Sequence, residues 1–256
     1  MIETWSDSEW KTAWNFMPRV AKEDRSKTPT AHRDVLMNAA HYMADYLMDE
    51  EFSLFSNGGQ PLLKRQREGW FDEILFHAPP TGVPGSYAPV AIEIMVSFEA
   101  LRQVRAKYSR SFSLVPACVA HVNVGQLLKP SRHILWNLEI DSIAEITDLI
   151  SHNGLQWIDD LCDPLRLEER AGERSLPFVD PVTALELVVA IGGKRAGRRV
   201  IDTWREDPLI GPELEKKVNA LRSHVGPVYR GDDSDTNIAS LCICYDLWSR
   251  QRLSFR

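Results

Sequence analysis

The stretch that decides the fold is FSLFSNGGQPLLKRQREGWFDEILFH (52–77), followed after a loop rich in Pro and Gly by VAIEIMV (90–96). Short apolar runs alternate here with the turn signals Asn57-Gly58-Gly59 and Gly69. Sequential strands with short connections favour an antiparallel meander. The expected strands cover 52–55, 62–69, 70–77 and 90–96.

Helical periodicity dominates the rest of the chain. Helices are expected over 30–50, 98–108, 141–154, 154–165, 180–192, 194–206 and 211–222, with one more strand over 133–140 and a charged connector over 166–176. The predicted fold class is therefore α+β, with an antiparallel sheet of about four to six strands packed with helices and a helical C-terminal half.

The domain organisation follows from where these patterns begin and end. Residues 1–21 are expected to form an N-terminal helical extension that is rich in tryptophan, and KEDRSKTPT (22–30) reads as a linker. A single α+β domain is expected over 31–222. Residues 223–256 are expected to form a C-terminal extension with a helical tail.

Composition excludes several classes of protein. With 44% hydrophobic and 26% charged residues, the 256-residue chain matches a soluble globular protein and not a disordered one. A membrane span needs about 18 consecutive apolar residues, and the sequence has no such run. The net charge of −6 argues against non-specific coating of DNA by the whole surface. The N-terminus does not resemble a signal peptide and the four cysteines form no CxxC pair, so we expect a cytoplasmic protein.

Four titratable side chains in the predicted strands are the candidate catalytic residues: Asp72, Glu73, His77 and Glu93. Glu93 is a carboxylate in the middle of an apolar strand, next to the basic run at 64–67. It can form a cross-strand ion pair with those cations, or it can act as a functional acid with Asp72, Glu73 or His77. Neighbouring cations oppose metal binding, so the ion pair is the favoured interpretation and no metal or cofactor is expected.

Two groups of basic side chains are candidate anion-binding residues: Arg65, Arg67, Lys194, Arg195, Arg198 and Arg199. The last four lie in GGKRAGRR (192–199), where a glycine pair precedes a helix whose N-terminus could hold a phosphate. The segment does not match GxxxxGK[ST], so it is not a P-loop. The alternative is a solvated helix face in which Arg198 pairs with Asp202.

The order of features over 31–206 resembles a bacterial family known as domain of unknown function 4304. The resemblance lies in EEFSLFSNGGQPLLKRQREGWFDEILFH (50–77), in NGLQWIDDL (153–161) and in DPVTALELVVAIGGKRAGRRVIDTW (180–204). It implies an α+β fold and no known catalytic residues. The N-terminal tryptophan-rich helix and the segment after 223 lie outside the resemblance, and these extensions could carry partner contacts that the family does not predict.

Three aromatic residues of the N-terminal helix are candidate partner-binding residues: Trp5, Trp10 and Trp14. Exposed aromatic side chains are typical anchors of protein interfaces, although this helix could instead pack on its own domain. The expected function is a non-enzymatic protein-interaction factor with a protein partner, such as an immunity or accessory protein of a bacterial toxin or phage-defence system. The alternatives are a module that binds nucleic acid or phosphate and a metal-dependent hydrolase or nuclease.

Overall fold

The computed structural model describes residues 30–57, 60–78, 89–107, 117–138, 141–223 and 233–248. It confirms the α+β class, with a six-stranded antiparallel sheet and helices in the C-terminal half. Strands β1 to β5 are neighbours in chain order, and the short β6 pairs with β4. The strands are β1 (Ser53–Asn57), β2 (Gln60–Arg67), β3 (Trp70–His77), β4 (Val90–Phe98), β5 (Cys118–Asn123) and β6 (Leu135–Trp136).

Helices precede, interrupt and follow the sheet in the described residues. Among them, not one is both long enough and apolar enough to cross a membrane. The helices are α1 (Thr30–Tyr46), α2 (Ala100–Lys107), α3 (Ile143–Leu149), α4 (Leu155–Cys162), α5 (Pro164–Gly172), α6 (Pro181–Glu206), α7 (Gly211–Arg222) and α8 (Ser234–Cys244).

The chain forms two compact units. The first unit comprises the described residues up to Ser97 together with Ala120–Ile158, and it contains α1, α3 and most of the sheet. The second comprises Phe98–Val119 and the described residues from Asp159 onward, and it contains α2 and α5 to α8. The boundaries expected from the sequence, at 1–21, 31–222 and 223–256, stay predictions.

The predicted meander forms through two tight connections. Asn57 pairs with Gln60 across the first connection, and Arg67 pairs with Trp70 across the second. In the second turn Glu68 has φ 34° and Gly69 has φ 88°. Two consecutive positive φ values are typical of the mirror-image turns that match the twist of a hairpin, and glycine adopts them without strain.

The two faces of the sheet differ in their exposure. Along β3 buried side chains alternate with half-buried ones, so one face of this strand lies in the core and the other reaches toward solvent. His77 ends the strand on the half-buried face. In β4, by contrast, Ile92 and Glu93 are both buried although they point to opposite faces. Both faces of β4 are therefore covered at this point, whereas β3 has one half-buried face.

Residues 166–176, expected to be a charged connector, are largely helical instead. Asp163 caps α5 by accepting a hydrogen bond from the Leu165 amide at 3.0 Å, and Pro164 occupies the first turn. Leu167 and Ala171, which are four residues apart, are both buried. Two apolar side chains on one helical face are enough to dock a helix whose other positions are charged.

The two helices expected over 180–192 and 194–206 are the two arms of α6. The Asp180 side chain caps its first turn by accepting from the amides of Val182 and Thr183, and the helix is kinked at Gly193. The second arm ends near Trp204, which is 1% exposed and whose indole donates to the Ala171 carbonyl at 3.0 Å. The core of the second unit is thus closed by α5 and α6.

Candidate metal centre

Three neighbouring strands bring two imidazoles to one carboxylate. His77 lies at the end of β3, Glu93 within β4 and His121 within β5. Glu93 Oε2 is 2.7 Å from His121 Nε2 and 3.3 Å from His77 Nε2. One ligand atom of each residue lies within 4.8 Å of those of the other two. We call this group the His77/Glu93/His121 cluster.

Strand alternation explains why the cluster forms. Ile92 and Ile94 fill the core with one face of β4, so Glu93 between them must point to the opposite face. In β5 the buried Ala120 and Val122 flank His121 in the same way. Each polar side chain therefore leaves the core side of its own strand, and neighbouring strands place these side chains next to one another.

The cluster is buried at its carboxylate and exposed at its imidazoles. The Glu93 side chain is 2% exposed, whereas those of His77 and His121 are 30% and 37% exposed. A carboxylate this deeply buried is stable only when it is hydrogen-bonded or paired with charge. The two imidazoles supply that partner and separate the carboxylate from solvent.

The electrostatics favour an ionised Glu93 beside a neutral His77. Burial alone raises the pKa of Glu93, but the hydrogen bond from His121 and the charge of His121 lower it, and so do the charges of His77 and His133. The net pKa of Glu93 lies below its ordinary value. Burial lowers the pKa of His77, against the opposing effect of the Glu93 charge. An ionised carboxylate and a neutral imidazole are the forms that coordinate a metal ion.

A third histidine, His133, lies close to the cluster on a segment with a fixed backbone. The Asn123 side chain accepts hydrogen bonds from the amides of Gly125 and Ile134 and donates to the Ile134 carbonyl at 3.2 Å. Gly125 allows this close approach, because a Cβ there would lie 2.6 Å from the Arg132 carbonyl oxygen. His133 is held between these two anchored neighbours.

The dimensions of the cluster suit a divalent transition-metal ion. Ligands at about 2.0–2.2 Å from a tetrahedral zinc ion are about 3.4 Å from one another. The distances of 2.7 and 3.3 Å from Glu93 Oε2 require only small side-chain movements to reach that arrangement. Two histidines and one glutamate are also a ligand set of catalytic zinc sites, in which a water completes the coordination.

The four candidate catalytic residues do not form one site but lie at three separate positions on the sheet. Asp72 is on the face of β3 opposite to His77, where it is buried and lies 2.9 Å from Arg65 Nε and 3.1 Å from Arg67 Nη2. Glu73 shares the face of His77, but four residues of strand separate them by about 13 Å. Of the four, only His77 and Glu93 meet.

The ion pair expected for Glu93 does not form with the basic run of β2. Lys64 contacts Glu73 at 2.9 Å, and Arg65 and Arg67 contact Asp72. Arg65 also lies over the Phe52 ring at 4.8 Å. The cations that were expected to oppose a metal ion are therefore paired with other acids, and histidines surround Glu93 instead.

The second group of candidate anion-binding residues is engaged by acidic side chains. Lys194 and Arg198 both contact Asp246, and Arg198 Nη2 lies 3.0 Å from its Oδ2 atom. Arg199 Nη2 donates to Glu168 at 2.7 Å. These contacts satisfy cations that a bound phosphate would otherwise neutralise. They favour the alternative interpretation of 192–199 as a solvated helix face.

On that face one ion pair differs from the pair expected from the sequence, and the role of one cation is untested. The pairing of Arg198 with Asp202 is wrong, because Arg198 contacts Asp246 and Asp202 lies 3.5 Å from Arg205 Nη1. Arg195 is exposed. The anion-binding role of this segment stays a prediction.

Comparison with known proteins gives no guide to the function of this chain, so the functional conclusion depends on the geometry of the His77/Glu93/His121 cluster. Neither family models, nor curated proteins, nor solved structures contain a match to this chain. The resemblance to domain of unknown function 4304 stays a prediction. So does the partner-binding role of Trp5, Trp10 and Trp14, which lie outside the described residues.

The sequence analysis missed His121 and His133, and one usable signal was present. The strand CVAHVN (118–123) was not predicted at all. It carries a lone polar side chain in mid-strand among apolar neighbours, which is the signal that singled out Glu93. No comparable signal marked His133. It is the first residue of the strand expected over 133–140, and it lies outside the strand that forms, Leu135–Trp136.

The metal-free protein is expected to lose stability as the pH falls from 7.5 to 5.5. An unfolded histidine titrates near 6.5, whereas burial lowers the pKa of folded His77 below that value. The unfolded state therefore binds the proton first, so the free energy of unfolding decreases as the pH falls through this range. Urea midpoints at the two pH values measure the loss. The His77→Asn variant should lose less unfolding free energy over this pH range. An equal loss in the variant and the wild type would contradict the assignment of the effect to His77.

Proposed function

We propose that this protein is a metal-dependent hydrolase in which His77, Glu93 and His121 hold a divalent transition-metal ion. The observation that carries the proposal is the approach of the three ligand atoms to within 4.8 Å of one another around a carboxylate that is 2% exposed. Buried carboxylates that meet imidazoles are typical of functional sites, because burying charge there has a cost that packing alone does not require.

The ligand chemistry favours zinc or a similar ion over magnesium or calcium. Imidazole nitrogen suits zinc, iron, cobalt and nickel, whereas magnesium and calcium prefer oxygen ligands. In the metal-free cluster the Nε2 atoms of His77 and His121 point at Glu93 Oε2. A bound ion replaces these contacts by coordinating both nitrogens and the carboxylate oxygen at once.

The exposure of the two imidazoles supports a catalytic role for the ion. The three protein ligands come from adjacent strands on one face of the sheet, so they approach a bound ion from one side. The Nε2 atom of His77 and the Oε2 atom of Glu93 are themselves shielded from solvent, so the route to the remaining coordination positions runs past the imidazole rings of His77 and His121, which are 30% and 37% exposed. A metal ion with a position open to water is the arrangement of a catalytic site.

The chemistry that such a site supplies is activation of water. An ion held by His77, Glu93 and His121 would lower the pKa of a bound water toward 7, so that the water could lose a proton to solvent and add to an electrophilic carbon or phosphorus of a substrate. The bond from that atom to the leaving oxygen or nitrogen would break, and the leaving group would take up a proton from solvent.

The other functions predicted from the sequence receive less support from the described residues. Five of the six candidate anion-binding cations contact carboxylates, namely Arg65, Arg67, Lys194, Arg198 and Arg199. The protein-interaction function depends on residues 5–14, which lie outside the described part of the chain. Metal-dependent hydrolysis is therefore the function that the geometry supports best.

Zinc titration of the full chain tests the metal site. We expect stoichiometric binding of one ion, measured by calorimetry and by a rise in the thermal midpoint. His121→Ala should weaken zinc affinity at least about tenfold, because loss of a ligand costs no less than loss of a residue that only supports one. His152→Ala is the matched control, since His152 is an exposed histidine of the same unit outside the cluster.

Two results would contradict the proposal at different levels. Equal zinc affinity of wild type, His121→Ala and His152→Ala would show that the cluster does not hold the ion. Zinc binding without any zinc-dependent hydrolysis of phosphoester, carboxylic ester and peptide substrates would retain the metal site and remove the hydrolase. Activity that is lost with a chelator and restored by zinc, in wild type and His152→Ala alone, is the expected outcome.

A further inference from the structure

His133 lies two residues before β6, the short strand that pairs with β4. Val90 pairs with Trp136 and Ala91 pairs with Leu135, so each step back along the later segment corresponds to one step forward in β4. The pairing stops at Leu135, and the chain from Leu135 back to His133 runs in the direction in which β4 leads from Ala91 to Glu93. The lowering of the pKa of Glu93 by the charge of His133 agrees with that placement.

The backbone around His133 is held more firmly than that of an ordinary surface loop. Asn123, which is 2% exposed, bonds both the amide and the carbonyl of Ile134, at 3.1 and 3.2 Å. Ile134 itself is 1% exposed. Asn123 ends β5, the strand that also carries His121. One strand therefore supplies a ligand to the metal centre and fixes the position of a further imidazole beside it.

His133 does not belong to the ligand set itself. Among the described residues, the group whose ligand atoms lie within 4.8 Å of one another comprises His77, Glu93 and His121. An imidazole that lies beside a metal site, without joining that group, can donate a hydrogen bond to whatever occupies the open coordination positions. Two contacts on one oxyanion, one from a metal ion and one from an N–H donor, are a common means of orienting it.

We propose that His133 is the second anchor for an oxyanion ligand of the metal centre. One oxygen of the ligand coordinates the metal ion, and a second accepts a hydrogen bond from the His133 imidazole. The proposal rests on the proposed metal site and names its substrate class, a compound whose reacting group presents at least two oxygens, as phosphate esters do. Asn123 is then a positioning residue, because it acts through the backbone on either side of His133.

The test uses the cobalt-loaded full chain with inorganic phosphate as the probe. Bound Co²⁺ gives visible absorption bands that change when an anion enters its coordination shell. We expect phosphate to change these bands saturably in wild type and in His152→Ala. In His133→Ala the phosphate affinity should fall about tenfold or more, which is the usual effect of losing one charge-assisted hydrogen bond. Co²⁺ affinity should change by less than about threefold.

A second variant separates the loss of a donor from the loss of structure. His133→Gln keeps an N–H donor near the same place, so its phosphate affinity should lie between those of wild type and His133→Ala. Circular dichroism establishes that each variant is folded before titration. If His133→Ala does not fold, the proposal is tested by comparing His133→Gln with wild type. Because glutamine is the weaker donor, equal phosphate affinity of these two proteins would overturn the proposal.

The remaining outcomes distinguish this inference from the metal site on which it rests. Failure of the wild type to bind Co²⁺ overturns both. Co²⁺ binding with no response to phosphate, or with equal phosphate affinity in wild type and His133→Ala, overturns only the role of His133. Loss of Co²⁺ itself from His133→Ala makes His133 a metal ligand and also overturns its role as the second anchor.

Discussion

Replacing Glu186 with glutamine is expected to lower the free energy of unfolding by about 3–5 kcal/mol. Glu186 lies in α6 and is 0% exposed, and its Oε2 atom is 2.9 Å from Nε of Arg105 in α2, which is 9% exposed. The guanidinium also donates to the Cys118 carbonyl at 2.9 Å. Glutamine keeps the shape of the side chain but removes the charge that balances a buried cation, and a buried cation without that balance is costly. Equilibrium urea unfolding measures the effect.

Two controls test whether burial is the cause of this effect. Glu99→Gln removes an acid from an exposed pair at the start of α2, where Glu99 and Arg102 are 55% and 51% exposed and lie 2.9 Å apart. Its cost should stay below about 1 kcal/mol. The double variant Arg105→Met, Glu186→Leu should recover much of the loss, because an apolar pair of similar volume needs no charge balance. Equal costs at Glu186 and Glu99 would contradict the expectation.

The fold could be predicted from the sequence where local signals and packing agree. Turn residues at 57–59 and 68–69 delimit β1 to β3, and the alternation of side chains within β3 is visible in WFDEILFH (70–77). The strand β5 was not predicted, although CVAHVN (118–123) carries a lone polar residue among apolar neighbours, as VAIEIMV (90–96) does. The cluster, and not the needs of the strand, accounts for a histidine at position 121. A local rule therefore failed at the place where the candidate site lies.

The site itself was only half predictable. His77 and Glu93 were singled out because each is a titratable group in an apolar strand. Their nearest basic neighbours in sequence suggested ion pairs, but strand order gave those cations to Asp72 and Glu73 and brought His121 to Glu93 from a strand 28 positions farther along. Which acid meets which base depends on strand neighbours and register, and residue spacing along the chain does not encode either.

Replacing Glu93 with glutamine is expected to weaken zinc binding more than about 100-fold while leaving the metal-free fold in place. Glu93 is the only anionic member of the cluster, and the loss of a ligand should exceed the 10–100-fold effect that is usual for residues that only support one. Glutamine can still accept a hydrogen bond from His121 through its amide oxygen. Calorimetric titration with zinc measures the affinity, and His152→Ala again provides the matched control.

Zinc-dependent stabilisation distinguishes a metal ligand from a structural acid. At a free zinc concentration of 100 times the wild-type Kd, the ion stabilises the fold by about 2.7 kcal/mol, whereas a 100-fold weaker variant gains only about 0.4 kcal/mol. If Glu93 serves only to bond His77 and His121 to one another, Glu93→Gln should instead destabilise the metal-free protein and leave the zinc effect unchanged. The half-exposed imidazoles beside Glu93 leave a coordination position open, which a purely structural carboxylate would not need. We therefore expect Glu93→Gln to weaken the stabilisation by zinc and to leave the metal-free fold in place.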